Sequence, residues 1–308
     1  MANIIIGIHG LSNKPEKSKI SEWWEAAIRE GLLKTCGIQN ADSQFIMVYW
    51  ANLLYKYPQH QDADFDYDAL YNEQPYIKAA PGALREYNEG WVDAVREAVT
   101  SRGGAVLDSI RKHVRLDAVG DWLLEQKVRD LAYYYDKDRK IKDRDGQKRQ
   151  ARQVLMDELM SILRPLKGER IMLIAHSMGS IISYDVLRNL GQLDRSFVVH
   201  HFLTVGSPLG LSLVKANIYT ERSYASVPVR TPTVVTEKWV NYADRRDPVA
   251  VDAHLRDDFG RNDLGIQVED DLVLNDYVTS RGESKSHKSY GYLRTPELSE
   301  HIKRFLSQ

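Results

Sequence analysis

A single cysteine, Cys36, among 308 residues excludes an internal disulfide framework. A lone thiol with no matching His or Cys spacing also argues against a metal site and fits a reducing compartment, so a cytoplasmic location and no bound metal are expected. Excess charge of either sign is missing too. The 42 basic and 43 acidic residues nearly cancel, and no net field draws the chain toward nucleic acid. No run approaches the ~20 apolar residues of a membrane-spanning helix, so no transmembrane segment is expected. The start, Asn3-Ile4-Ile5-Ile6, has neither a basic stretch nor a long apolar one, so a signal peptide is not expected. Internal repeats and low-complexity tracts are absent. Gly7-Ile8-His9-Gly10 lacks the full G-x-G-x-x-G spacing, and Lys14 does not complete a phosphate-binding loop, so no cofactor is expected.

What is present reads as alternating strands and helices. Ile4 to Ile8 is a β-branched run ending in His9-Gly10, the pattern of a buried strand and a turn. Over 17–35, Ile20, Trp23, Trp24, Ala27, Ile28 and Leu32 share one helical face, and Gln44–Trp50 is a second strand. This β-α-β start predicts a parallel sheet. Residues 51–80 are rich in Tyr, Asp, Asn, Gln and Pro without a period, and 82–166 carries helical spacing. Within that block 136–150 is a charge run, read as a solvated loop or helix extension, and Gln153–Leu166 is an amphipathic helix. Strand signals return at Ile171–Ala175, Phe197–Val205, Lys238–Ala243 and Asp271–Val278. Helices are expected at Ser177–Leu190 and Thr295–Leu306, and 209–236 reads as irregular. The expectation is an α/β core over 1–50 and 168–308, a mostly parallel sheet flanked by helices, with a large, mainly helical insertion at 51–167.

The stretch "IAHSMGS" joins a strand to a helix through Ser177. In a nucleophile elbow the serine sits on a strained strand-to-helix turn, and the residues two before and two after it must be small. Ala175 and Gly179 meet that demand. The helix start then offers the Met178 N–H to an oxyanion. Serine is also favoured at a helix N-cap for capping alone, so the five-residue pattern leaves both readings open. An elbow serine needs an acid and then a histidine further along the chain. Asp247 follows the strand KWVNYA in "RRDPVA", and His287 lies in "SHKSYGYL" before the final helix. Asp244 is a rival acid three residues earlier. After the first strand, Gly10 permits a tight turn that presents the Leu11 N–H as a second oxyanion donor, and His9 reads as a residue that shapes this loop. His200-His201, inside a strand, reads as a structural pair with one ring inward, not as a zinc site.

With "HGL", "AHSMG", "RRDPV" and "SHKSYGYL" in these places, the chain resembles the α/β-hydrolase superfamily of serine esterase and lipase type. The likeness covers about residues 3–50 and 168–307. It implies an α/β-hydrolase fold and a cofactor-free ester hydrolase acting through Ser177, His287 and Asp247. Ala175 in place of a glycine is a departure that lipases share. The implied partner is a small-molecule or lipid ester.

The insertion does not identify the substrate. Tyr49, Trp50, Tyr55, Tyr57, Phe65, Tyr67, Tyr71 and Tyr76 could line an acyl pocket or anchor an irregular segment. The 82–166 block fits a lid, or a contact with a partner or a second copy. An alternative function follows: a hydrolase-fold binding protein whose insertion holds a partner or lipid, with little hydrolysis. Ester, thioester, amide and phospholipid cleavage are all compatible with the same three residues.

Overall fold

The computed structural model describes residues 2–41, 43–59, 75–80, 131, 134–224, 229–250 and 252–308. Most of the segment expected to form the insertion, including Phe65, Tyr67 and Tyr71, lies outside the described residues.

The strands are β1 (Asn3–Ile8), β2 (Gln44–Val48), β3 (Lys140–Lys142), β4 (Lys148–Gln150), β5 (Arg170–His176), β6 (Val199–Val205), β7 (Val235–Ala243) and β8 (Glu269–Leu272). The helices are α1 (Lys17–Cys36), α2 (Ala51–Leu54), α3 (Ala151–Leu163), α4 (Met178–Leu193), α5 (Ser212–Tyr224), α6 (Ser289–Leu293) and α7 (Pro296–Leu306). Six strands form one sheet in the order β2-β1-β5-β6-β7-β8, and every neighbouring pair is parallel.

Side chains alternate between the two faces of this sheet, so the apolar runs bury both. Ile4, Ile6 and Ile8 of β1 and Ile171 and Leu173 of β5 pack with α3 and α4. Ile5, Met172 and Ile174 face the other way, against Trp24 and Ile28 of α1 and Leu298 and Ile302 of α7. Parallel order brings the carboxyl ends of β1, β5, β6, β7 and β8 to one edge, where their following loops meet.

Three local expectations are corrected. The charge run 136–150 contains the antiparallel hairpin β3–β4, with Lys142 opposite Lys148. Its turn is closed by the Asp143 carboxylate, which accepts from the N–H groups of Asp145 and Gln147. Ile141 packs the hairpin against the core, while Arg144 and Arg149 pair with Glu158 and Asp157 of α3, so charge masks the strand signal. Residues 209–236, read as irregular, contain α5, a helix whose buried stripe is as thin as Val214 and Ile218. The last strand is Glu269–Leu272, not Asp271–Val278. Beyond these, the helix expected from Gln153 begins at Ala151, and its Val154, Leu155, Leu159 and Leu163 pack into the same cluster as β1 and β5.

The two strand histidines differ in setting. His200 is half-buried and its Nδ1 accepts from the Ile171 N–H at 3.1 Å. His201 is buried and heads a polar chain. Its Nε2 is 2.9 Å from Glu237, its Nδ1 is 2.7 Å from Nε2 of His301, and Nδ1 of His301 is 2.7 Å from the Tyr242 hydroxyl. Glu237 can only accept and Tyr242 is held protonated by burial, so one neutral tautomer of each ring satisfies every contact. Burial, reinforced by the nearby Arg304 and Lys238 charges, pushes His301 down to about 3, and burial also lowers His201.

The unfolded chain therefore binds protons below the ordinary histidine range that the native pair refuses. Stability is complete above about pH 6.5 and falls as pH drops toward the native value, by at most ~1.4 kcal/mol per pH unit for each ring. Urea unfolding at about pH 7.5 and pH 5 is expected to show a lower midpoint in acid, and His301→Gln to flatten that difference. Equal midpoints for the native chain would contradict the buried neutral pair.

Candidate active site

The site begins with an unusual backbone. Ser177 follows β5 with φ 52° and ψ −128°, and Ser12, in the loop after β1, has φ 78°. These are the two non-glycine residues with positive φ among the described residues. Such strain costs about 1–3 kcal/mol per residue and persists only where its surroundings enforce it. At Ser177 the surroundings are explicit. Its N–H donates to the Val205 carbonyl of β6 at 3.2 Å. Its carbonyl accepts from the Ser180 N–H at 2.9 Å and the Ser180 hydroxyl at 2.6 Å. Ser207 in turn lies 2.7 Å from that hydroxyl.

The small residues expected beside the serine are required by packing. A Cβ at Gly179 would stand 2.7 Å from the Ile8 carbonyl oxygen and 2.9 Å from that of His9. One at Gly10 would stand 2.7 Å from Cβ of Ser177. Ala175, fully buried between β1 and β6, is small enough to fit there. The β1 loop and the start of α4 thus lie in contact around the serine.

Asp247 and His287 reach the same point from the far side of the sheet. The His287 Nε2 lies 3.0 Å from Oγ of Ser177, and its Nδ1 lies 2.8 Å from Oδ2 of Asp247. A carboxylate only accepts, so Nδ1 carries the ring proton and Nε2 is left to accept from the serine hydroxyl. Asp247 is nearly inaccessible and Ser177 is 5 % exposed. The carboxylate is held by the Val249 N–H at 2.8 Å and by the Tyr292 hydroxyl at 2.8 Å. Burial and the adjacent Asp247 charge keep Tyr292 protonated, and hence a donor.

The rival acid Asp244 is used otherwise. It is fully buried, ion-paired to the Arg246 guanidinium, and accepts from the Asn275 N–H at 2.7 Å. It fixes the turn that delivers Asp247, whose own N–H donates to the Asp244 carbonyl.

Three contributors carry no sequence signal that identifies them alone. Asn275 donates to the carbonyls of Ser286 and Lys288, both at 2.8 Å, and so clasps the chain on each side of His287. His176 has Nε2 2.8 Å from the His287 carbonyl, and the two rings lie 4.8 Å apart. Tyr292 also accepts from the Asp244 N–H at 3.0 Å. Two of them fall within quoted motifs, His176 in AHSMG and Tyr292 in SHKSYGYL, where nothing in the motif marks out His176 or distinguishes Tyr292 from Tyr290.

Neither proposed oxyanion donor is engaged. The N–H groups of Leu11 and Met178 have no acceptor among the described residues. Met178 opens α4, so its N–H belongs to the unsatisfied first turn of that helix. The described residues contain no group of three or more His, Cys, Asp or Glu arranged to hold a metal, and no helix long and apolar enough to cross a membrane.

No protein-family model matches the chain, and no curated protein matches it. Among solved structures, it is similar to a "putative cell surface hydrolase" from Lactobacillus plantarum WCFS1, at 10 % identity and a TM-score of 0.36, over 100 % of this chain and 92 % of that one.

Tyr292→Phe removes a buried donor to Asp247 and leaves the Asp244 N–H without its acceptor. The expected cost is about 1–3 kcal/mol, read as a lower urea midpoint with an unchanged slope. An unchanged midpoint would mean that the hydroxyl does not bind these groups.

Proposed function

We propose that this chain is a serine hydrolase of α/β-hydrolase type that cleaves a carboxylic ester through an acyl-enzyme intermediate. The observation that carries this reading is the run of contacts from Asp247 through His287 to Ser177, ending on a serine whose backbone is strained. A capping serine needs neither a positive φ nor an imidazole at its hydroxyl.

In this mechanism His287 Nε2 takes the Ser177 proton as Oγ bonds to the ester carbonyl carbon. The carbonyl π electrons move to oxygen, and the N–H groups of Leu11 and Met178 receive that negative charge. Asp247 stabilises the imidazolium, which then protonates the leaving alcohol as the C–O bond breaks. Water attacks the acyl group, His287 takes its proton, and the acid departs with Ser177 restored. Esters are favoured over amides because an alkoxide leaves with less assistance. Chain length, and discrimination against thioesters and phospholipids, depend on the acyl pocket.

A panel of p-nitrophenyl esters of rising chain length tests the reading. The wild-type protein is expected to hydrolyse at least one ester. Ser177→Ala is expected to abolish turnover, and Asp247→Asn to lower kcat by about 10⁴-fold. Equal hydrolysis by wild type and Ser177→Ala would overturn the assignment.

A further inference from the structure

The ester-hydrolase reading requires the Leu11 N–H to point at the reacting carbonyl, and resting on that reading we infer that His9 and Lys14 are the positioning residues that aim it. The tautomer of His9 fixes the first peptide of this loop. Its Nε2 accepts from the Trp50 N–H at 3.2 Å, so the ring proton is on Nδ1, which donates to the Gly10 carbonyl at 2.8 Å. The Gly10–Leu11 peptide is trans, so its C=O and N–H point in opposite directions. Holding the carbonyl against His9 directs the Leu11 N–H away from that ring.

The next peptide is fixed from the other end. Lys14 Nζ donates to the Leu11 carbonyl and lies 3.5 Å from the Ser12 carbonyl. Both peptide units flanking Leu11 are thereby oriented by side chains, and the Leu11 N–H between them has no acceptor among the described residues. Ser12, at φ 78°, is the strained residue of this loop, and the ammonium contacts hold it there.

The two positioning residues are themselves braced by the residues that follow β2. The Trp50 ring stacks on His9 with centroids 4.7 Å apart, and its Nε1–H donates to the His9 carbonyl at 3.1 Å. The Lys14 carbonyl accepts from the Tyr49 hydroxyl at 3.3 Å and the Gln59 N–H at 2.8 Å. Tyr49 and Trp50, candidates for an acyl pocket, serve here as the loop's support. A donor fixed before substrate arrives needs no reorganisation when charge develops, which is the condition for effective oxyanion stabilisation.

The test compares Lys14→Met, which keeps the aliphatic stem, with His9→Leu and with His9→Asn, whose amide places an N–H near the Nδ1 position. Steady-state ester hydrolysis and the rate of inactivation by a fluorophosphonate are measured for each variant shown folded by circular dichroism. Loss of a whole oxyanion donor costs about 10²–10³-fold, so a misaimed one is expected to lower kcat by at least ~10-fold and to slow phosphonylation similarly. KM is expected to stay within about twofold and the pH midpoint of kcat/KM, which reports the base, to stay in place. His9→Asn is expected to recover much of what His9→Leu loses. Folded Lys14→Met with wild-type kcat, with only KM raised, or with a displaced pH midpoint would overturn the inference while leaving ester hydrolysis standing. A wild-type protein inert to both esters and fluorophosphonate would instead overturn the underlying reading. Should His9→Leu fail to fold, Lys14→Met decides alone.

Discussion

The turn at Ser177 is the constraint on which the rest of the site depends. A serine at φ 52° is unfavourable by itself, and its hydrogen bonds to Val205 and Ser180 and the close packing of Gly10 and Gly179 oppose relaxation. That enforcement comes from three places at once: β6 on one side, the β1 loop on the other, and the start of α4 beneath. The parallel sheet supplies this arrangement, because β5 lies between β1 and β6 and all three end at the same edge. The apolar core thus does more than stabilise the chain. It holds a strained hydroxyl facing a histidine.

The polar groups around the site follow from the same burial. Asp247 and Asp244 are both sequestered from water, where an unpaired carboxylate would be prohibitive. Their donors divide the work. Arg246 and Asn275 satisfy Asp244 and shape the turn, while the Val249 N–H holds Oδ1 of Asp247 and Tyr292 donates to Oδ2, the oxygen that also faces His287. A similar hub lies below. Glu30 of α1 accepts from the Tyr76 hydroxyl and the Ala79 N–H, and Arg294 joins Glu30 to the Ile77 carbonyl. This fastens residues 75–80 to the element that follows His287.

Much of this is legible in the sequence where a residue's own neighbours reveal it. The strands β1, β5 and β6 are apolar runs that end abruptly, so their loops and the residues Gly10 and Ser177 are placed by pattern alone. The order of Ser177, Asp247 and His287 is legible for the same reason, since each follows its own strand. Contributors that act across the fold are not. Asn275 clasps the His287 loop through backbone carbonyls, which any sequence provides, and Tyr292 matters only because β7 delivers Asp247 beside it. The β3–β4 hairpin is hidden because its strands alternate charge with a single isoleucine, and α5 because two buried residues make no convincing helical face. Periodicity reports burial, and these elements bury little.

The proposed ester hydrolysis requires an activated nucleophile at Ser177. Its most direct test is treatment of the purified, folded protein with a fluorophosphonate probe, followed by mass spectrometry of the modified peptide. One adduct is expected, on Ser177, absent from Ser177→Ala and strongly reduced in His287→Ala. An unlabelled Ser177, or labelling that persists at the same rate without His287, would contradict that activation.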